Sequence, residues 1–369
     1  MYRSHKIRMY PTKAQAIKLS KTVGVARYAY NWGIDMFESA HARGEARPTA
    51  YSLSNKWTAD HPDWADEVAS VCVRRSFMHV EGAYKAFFEK RNAYPKRRRK
   101  GKSDSFYYQA SHGRTIGKLT RVPKVGYVRL AEHVRFTEGV PTSYVVSKTA
   151  GKWYVSIKFK LPDNPRTKSD SVVGVDVGIK NWATASDGTV CETPKQLKHY
   201  QRLLAKKQRL LARKAKGSNR RAKAKLQVQK VYQKITNIKL DTIHKFTATI
   251  AKNHGVVVVE DLSVKGMAKS KIKGIRKGIH DSAMSEILRQ LMYKCNNYIE
   301  VDRFFPSSKT CSNCGNVKTD LTLSDRTYLC HSCGFSIDRD LNAAINLQKK
   351  GLDILSTEGH SVNARGGRD

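Results

Sequence analysis

Three carboxylates in this chain stand at the ends of apolar stretches, where an acid is hard to account for without a cation. Asp176 breaks the β-branched run VVGVDVG, Glu260 closes the run VVVVED, and Asp340 opens the Ala-rich helical pattern DLNAAINL. Burying such a side chain is costly unless a metal or a basic group lies against it. Three acids at the ends of separate elements are what a nuclease core needs to hold two divalent cations. In such a site two Mg2+ ions roughly 3.5–4 Å apart bridge the scissile phosphate, one activating water and the other stabilising the leaving 3′ oxygen. Asp176 would bridge the ions, with Glu260 and Asp340 completing the shells. Each acid alone has a plainer reading: a turn residue, a strand-end charge, a helix N-cap. Asp338, Asp261 and Asp302 are rivals, and Arg339 and Lys309 could meet phosphate nearby. Asp340 is preferred to Asp338 because it starts a helix able to pack closely on a sheet.

A second constellation is CSNC (311–314) with CHSC (330–333), fifteen residues between the pairs and a glycine directly after each. Four thiolates from two tight turns make a closed tetrahedral structural zinc site of Cys311, Cys314, Cys330 and Cys333. The shell is then full without His331. Cys72, Cys191 and Cys295 stand alone, so cysteine usage fits a reducing cytosol better than a disulfide scaffold.

Charge names the class of partner. Lys plus Arg number 69 against 31 acids, for a net +38 over 369 residues, which points to a long polyanion. The basic residues are clustered. Residues 193–240 carry sixteen Lys and Arg with no acid, and residues 90–102 carry eight with none. Both fit phosphate contact. No run of 18 apolar residues suggests a membrane span, and the first residues lack the apolar core of an export signal.

The elements that must position these groups can be read in order. A short strand near 5–10 precedes a helix capped by Thr12 and running to Ile34, with Ile17, Val25, Tyr28 and Trp32 on its apolar face. Pro48, Trp57, Pro62 and Trp64 anchor a loop and short helix. From Glu67, Val71, Phe77, Val80, Tyr84, Phe87 and Phe88 recur at helical spacing. Residues 105–161 alternate as strands and suggest a small barrel that includes the first strand, and residues 162–171 read as a linker. After the strand holding Asp176, Gly217-Ser218-Asn219 turns one basic helix into another, forming a long hairpin. A basic loop at 265–278, a helix at 282–298 and a strand at 298–305 then lead to the cysteines.

The segments VGVDVGIKNWAT, VVVVEDL and CSNCG…YLCHSCGFSIDRDLNAAINL, with the opening HKIRMYPTKAQ, resemble the TnpB proteins of IS200/IS605 and IS607 transposons, over nearly the whole chain. The resemblance implies an α/β fold: an RNase H-like (RuvC) nuclease domain with an inserted four-cysteine zinc module and basic helical hairpin, preceded by a β-barrel wedge domain with an inserted helical recognition domain. The corresponding ranges are 1–11 and 105–162 for the wedge and 12–104 for recognition. The nuclease domain falls in 172–306 and 336–352, with the hairpin at 195–250, the zinc module at 307–335 and a disordered tail at 353–369. It further implies that Asp176, Glu260 and Asp340 are the catalytic acids, using Mg2+, and that the four cysteines hold Zn2+. The partners implied are a guide RNA from the transposon end and double-stranded target DNA next to a short adjacent motif, in the cytoplasm and nucleoid of a prokaryotic cell. One copy per guide would suffice. A strand-transferring transposase and a non-catalytic nucleic-acid binder remain as alternatives.

Overall fold

A computed structural model describes residues 2–102, 104–162, 170–267, 283–322 and 325–357, and the chain divides into two compact units, Met1–Asp163 and Asn164–Asp369. Most of the linker expected at 162–171 and of the basic loop at 265–278 lies outside the described residues.

In the first unit, strand β1 (Tyr2–Tyr10) is followed by helices α1 (Lys13–Ala42), α2 (Ala50–Ala59) and α3 (Val71–Phe88). Thr12 starts α1 with a full capping box: its hydroxyl accepts from the Gln15 N–H while the Gln15 side chain accepts from the Thr12 N–H. The helix continues past Ile34 to Ala42 because the apolar face persists through Phe37 and Ala40. The three helices share a core of Tyr30, Ile34, Phe37, Leu53, Trp57, Phe77, Val80 and Tyr84. Trp64 is not an anchor of that core; it is half exposed and packs edge-on to Tyr28.

Six further strands, β2 (Ser105–Gln109), β3 (Arg114–Ile116), β4 (Leu119–Val122), β5 (Gly126–Leu130), β6 (Val140–Thr149) and β7 (Lys152–Lys160), join β1 in a seven-stranded sheet of order β2-β6-β7-β1-β5-β4-β3. Every pairing is antiparallel. The ladder is open between β2 and β3, so closure into a barrel by backbone hydrogen bonds is not observed. The sheet instead curls until side chains span the gap. Tyr108 Oη donates to the Arg121 carbonyl at 3.2 Å, and the Tyr144 and Thr115 hydroxyls lie 3.4 Å apart.

The second unit is built on a five-stranded sheet of order β10-β9-β8-β11-β12. Its strands are β8 (Val172–Asp176), β9 (Asn181–Ala185), β10 (Val190–Glu192), β11 (Val256–Glu260) and β12 (Asn297–Val301). β8, β11 and β12 run parallel, while β9 and β10 are antiparallel additions. A parallel centre needs cover on both faces, which explains the unbroken valines of β11. Val257 and Val259 face α5 (Asn219–Asn253) and α7 (Met284–Lys294), through Ile243, Phe246, Ile250, Ile287 and Leu291. Val256 and Val258 face the opposite way, toward Leu347 of α8 (Arg339–Thr357).

Helix α4 (Lys195–Ala212) and α5 form the expected hairpin, with Ser218 accepting from the Arg221 N–H to cap α5. A short helix α6 (Val264–Met267) follows β11, and a small hairpin of β13 (Thr327–Leu329) and β14 (Ser336–Asp338) precedes α8. Two expectations are corrected. The strand expected at 298–305 ends at Val301, because the Asp302 carboxylate accepts from the Phe304 N–H at 2.8 Å and turns the chain. Residues 353–357, expected in a disordered tail, extend α8, with Ile354 and Leu355 packed on the sheet core; residues 358–369 lie outside the described ones.

Helix α8 approaches β8 at backbone distance. A Cβ added at Gly174 would sit 2.0 Å from the Ala344 carbonyl oxygen and 2.5 Å from the Gln348 nitrogen. Neither backbone atom can yield without moving the helix, so Gly174→Ala is expected to destabilise the unit by about 3 kcal/mol or more. Urea unfolding of the full chain measures it, and a loss below about 1 kcal/mol contradicts the packing.

Candidate active site and metal centre

The structure brings the three sequence-assigned acids to one edge of the sheet. β8 and β11 pair in parallel with Val259 opposite Val175, so Asp176 and Glu260 leave adjacent strands at the same level. Asp340 lies in the first turn of α8, the helix pressed onto β8 at Gly174. Asp176 feels the other two electrostatically. Burial, then the charges of Asp340 and Glu260, push the Asp176 carboxyl up to about 7. Burial also raises Asp340 and Glu260, Asp340 further through Asp338 and Glu260 through Asp261. Lys180, Arg326 and Arg339 act the other way on Asp340.

The rival acids are occupied elsewhere. Asp338 Oδ1 accepts from the N–H groups of Asp340 (3.0 Å) and Leu341 (3.1 Å), so Asp338 is the cap of α8 and Asp340 is left free to face the strand ends. Asp261 is paired with Arg303, and Asp302 holds the turn after β12. Arg339 spends its guanidinium on the carbonyls of Thr322 (2.9 Å) and Asp325 (3.3 Å) rather than on open solvent. Lys309 is exposed.

Cys311, Cys314, Cys330 and Cys333 form a cluster whose sulfurs all lie within 4.8 Å of one another. Cys311 and Cys333 Sγ are 3.8 Å apart, and Cys314 and Cys330 Sγ 3.6 Å. A tetrahedron with metal–sulfur bonds of about 2.3 Å has edges of about 3.8 Å, so the spacing suits one such ion and is far too long for disulfides. Gly315 and Gly334 take φ of +79° and +69°, which turns each chain back under its pair of sulfurs. Backbone N–H groups of residues 333 and 332 face Cys330 and help bring its thiol down to about 6. Among the described residues no other group of three or more His, Cys, Asp or Glu is so tight, so the three carboxylates stand wider apart than a single-ion shell.

Sequence reasoning missed the parts that join these two centres. The Ser307 hydroxyl hydrogen-bonds the Glu260 carboxylate. Buried Asn346, on α8, donates to the carbonyls of Ser307 (2.8 Å) and Thr310 (2.7 Å). Asn342, fully buried, donates to the Thr310 carbonyl at 2.7 Å and accepts from the Ser312 N–H at 2.9 Å. The segment between β12 and the first cysteine pair is therefore stitched to the helix that carries Asp340. Two asparagines on the apolar face of DLNAAINL were the available signal, since buried amides require partners.

The basic clusters divide once their neighbours are known. In the 90–102 tract, Arg97 pairs with Asp35 and Glu38, Arg98 lies over the Tyr30 ring at 3.8 Å, and Arg91 pairs with Glu89. Lys96, Arg99, Lys100 and Lys102 remain exposed. On the hairpin, Arg221 Nη1 donates to the Leu211 (3.0 Å) and Lys214 (2.7 Å) carbonyls and so serves the turn.

Asp176 makes a pH dependence that can be signed. Its folded pKa lies above its unfolded one, so its contribution to stability is whole below about pH 4 and is lost as pH rises through about 7. Without added divalent cation, Asp176→Asn is expected to be more stable than the parent by roughly 1–3 kcal/mol at pH 8, the difference vanishing near pH 4. Thermal unfolding across that range tests it; a constant difference would remove the electrostatic explanation.

Comparison with known proteins identifies relatives of the chain. Family models described as "Helix-turn-helix domain", "Probable transposase" (OrfB_IS605) and "Cas12f1-like, TNB domain" match residues 1–46, 145–271 and 285–347. The first of these spans β1 and the single continuous helix α1. A Streptomyces pristinaespiralis protein named "Putative RNA-guided DNA endonuclease" is 35% identical over 363 residues, covering 95% of this chain and 89% of its own. InsQ of Escherichia coli (strain K12), under the same description, is 31% identical over 375 residues, covering 95% and 92%. The fold matches that of Cas12f1 in its complex with sgRNA and target DNA, with a TM-score of 0.56 at 15% identity over 91% of this chain and 82% of that one. With full-length relatives at this identity and the OrfB_IS605 match, the chain belongs to the TnpB family, related to Cas12f1.

Proposed function

We propose that this protein is an RNA-guided DNA endonuclease that hydrolyses phosphodiester bonds of target DNA, with Asp176, Glu260 and Asp340 as its catalytic, metal-binding acids. The observation that carries the reading is the meeting of three carboxylates from β8, β11 and α8 at one strand-end edge, where burial raises all three and the charges of Asp340 and Glu260 raise Asp176 further. Such a cluster favours cations. Two divalent ions held there, Mg2+ in the cell, would supply an activated water and stabilise the leaving 3′ oxygen. The chain's own residues set the stage. Asp176, whose carboxyl feels both of the others, would be a shared metal ligand, Ser307 hydrogen-bonds Glu260, and Asp338 rather than Asp340 caps α8. Lys180 and Arg326 supply positive potential at Asp340, suited to a phosphate diester.

The sheet order of the second unit, with an acid on each of two central parallel strands and one on a flanking helix, supports the RuvC-type assignment. Residues 172–306 and 336–357 would form this domain. The cysteine cluster at 307–335 would hold Zn2+ as a structural ion, for which the sulfur spacing and the positive-φ glycines are the support. In the first unit, the curled sheet of β1 with residues 105–162 would be the wedge, and residues 12–104 the recognition domain. A guide RNA from the transposon end would supply sequence specificity by base pairing, while basic surfaces hold backbones. The exposed lysines and arginines of the α4–α5 hairpin and of residues 96–102 are the surfaces proposed for this. Among the described residues no helix is long and apolar enough to cross a membrane.

Co-purification with RNA from the transposon locus, followed by challenge with a plasmid library carrying randomised target flanks, tests the reading. Guide-dependent double-strand cuts in Mg2+ are expected, and Asp176→Ala, Glu260→Ala and Asp340→Ala are each expected to cut at least about a thousandfold more slowly. Asp338→Ala should instead lose about 1 kcal/mol of stability, as a lost helix cap does, and still cut. Cleavage without guide, or full activity of Asp176→Ala, overturns the proposal. For the zinc site, the purified protein should hold one equivalent of zinc, and Cys314→Ser should lose it with a clear fall in unfolding temperature.

A further inference from the structure

We propose that Phe304 is a stacking platform for one unpaired nucleobase of the DNA strand entering the site of Asp176, Glu260 and Asp340, an inference that rests on the endonuclease reading above. Phe304 is 85% exposed, more than any other large apolar side chain among the described residues. Its backbone is nevertheless fixed. The Phe304 N–H donates to Asp302 Oδ1 at 2.8 Å, and the Phe305 N–H to the Asp302 carbonyl at 3.0 Å. Phe305 packs against the core beneath β11, and Ser307, two residues on, is pinned through its carbonyl by Asn346. One phenylalanine of the pair is a partly buried anchor while its neighbour is held out into solvent.

Its position supplies the occupant. Val301 pairs with Glu260 at the end of β12, so the turn bearing Phe304 leaves the sheet at the same edge as the acids. Lys309 is exposed five residues further on, Arg303 next to the ring is exposed but paired with Asp261, and Ser307 touches Glu260. An exposed ring with an exposed lysine on the same short segment is what a single strand requires: a π-face for a base and positive charge for a neighbouring phosphate. A duplex buries the faces of its bases, so only an unpaired strand can use the ring. A protein partner would need a contiguous apolar patch, and the neighbours Asp302, Arg303, Pro306 and Lys309 do not provide one.

The test uses the full-length, guide-loaded protein and single-stranded DNA carrying 2-aminopurine, walked one nucleotide at a time through the cleavage region. Quenching is expected at one position with the parent protein, to be lost in Phe304→Ala and in Phe304→Leu and kept in Phe304→Trp. Phe304→Ala should cut saturating target about tenfold more slowly while its target affinity stays within about twofold. An abasic residue at the quenched position should slow the parent by the same factor and leave Phe304→Ala unaffected. Absence of quenching at every position, or a Leu variant that behaves like the parent, overturns the inference while leaving the endonuclease reading intact. A parent complex that quenches yet never cuts overturns the endonuclease reading, and the stacking assignment is still read from the fluorescence.

Discussion

Like charges held at close quarters in a poorly solvated place are the constraint on which the second unit depends. Asp340 and Glu260 press on Asp176, Asp338 on Asp340 and Asp261 on Glu260, and burial makes each of the three reluctant to ionise. Nothing in the carboxylates themselves keeps them together. The scaffold does so by covering both faces of β11, by laying α8 on β8 where residue 174 has no side chain, and by capping α8 with an acid that is not one of the three. Packing enforces an arrangement that electrostatics opposes, and the cation proposed for this site would reverse the sign of the conflict.

The cysteine cluster enters the same argument through hydrogen bonds. Asn342 and Asn346 link α8 to residues 307–312, and Ser307 carries that link to Glu260. Amides buried in an apolar contact cannot slide without leaving donors unsatisfied, so they set the register of the segment on the helix. The four sulfurs next to them bring both ends of the 311–333 segment together, and an ion held there would act on the acids through position.

Much of this was legible in the residues. Strand-end acids in β-branched runs, paired CxxC turns followed by glycine, and a basic stretch without acids each carry a local signature that long-range context seldom overrides. What escaped was long-range. That Arg97 and Arg98 spend themselves on α1 depends on Asp35, Glu38 and Tyr30, some sixty residues away. The open ladder between β2 and β3 depends on how far the sheet curls, which alternation alone does not encode. The end of the strand at Val301 rested on one side-chain hydrogen bond from Asp302, and Trp64 on a neighbour in another helix. The preference for Asp340 over Asp338 rests on helix context in the sequence, and the capping bonds of Asp338 depend on where α8 starts, which that context leaves open by a residue or two.

The embrace of β8 by α8 also has a consequence during synthesis. Asp176 and Glu260 leave the ribosome well before Asp340, and α8 closes the face of the sheet on which Val258, Ile299 and Val301 would otherwise lie bare. Contacts spanning so much chain form late. A nascent polypeptide stalled or truncated before residue 340 has two acids, an unfinished sheet and its basic hairpin already made. It would carry the basic hairpin without the full set of carboxylates, so the order of translation itself would withhold the proposed site until the fold is nearly complete.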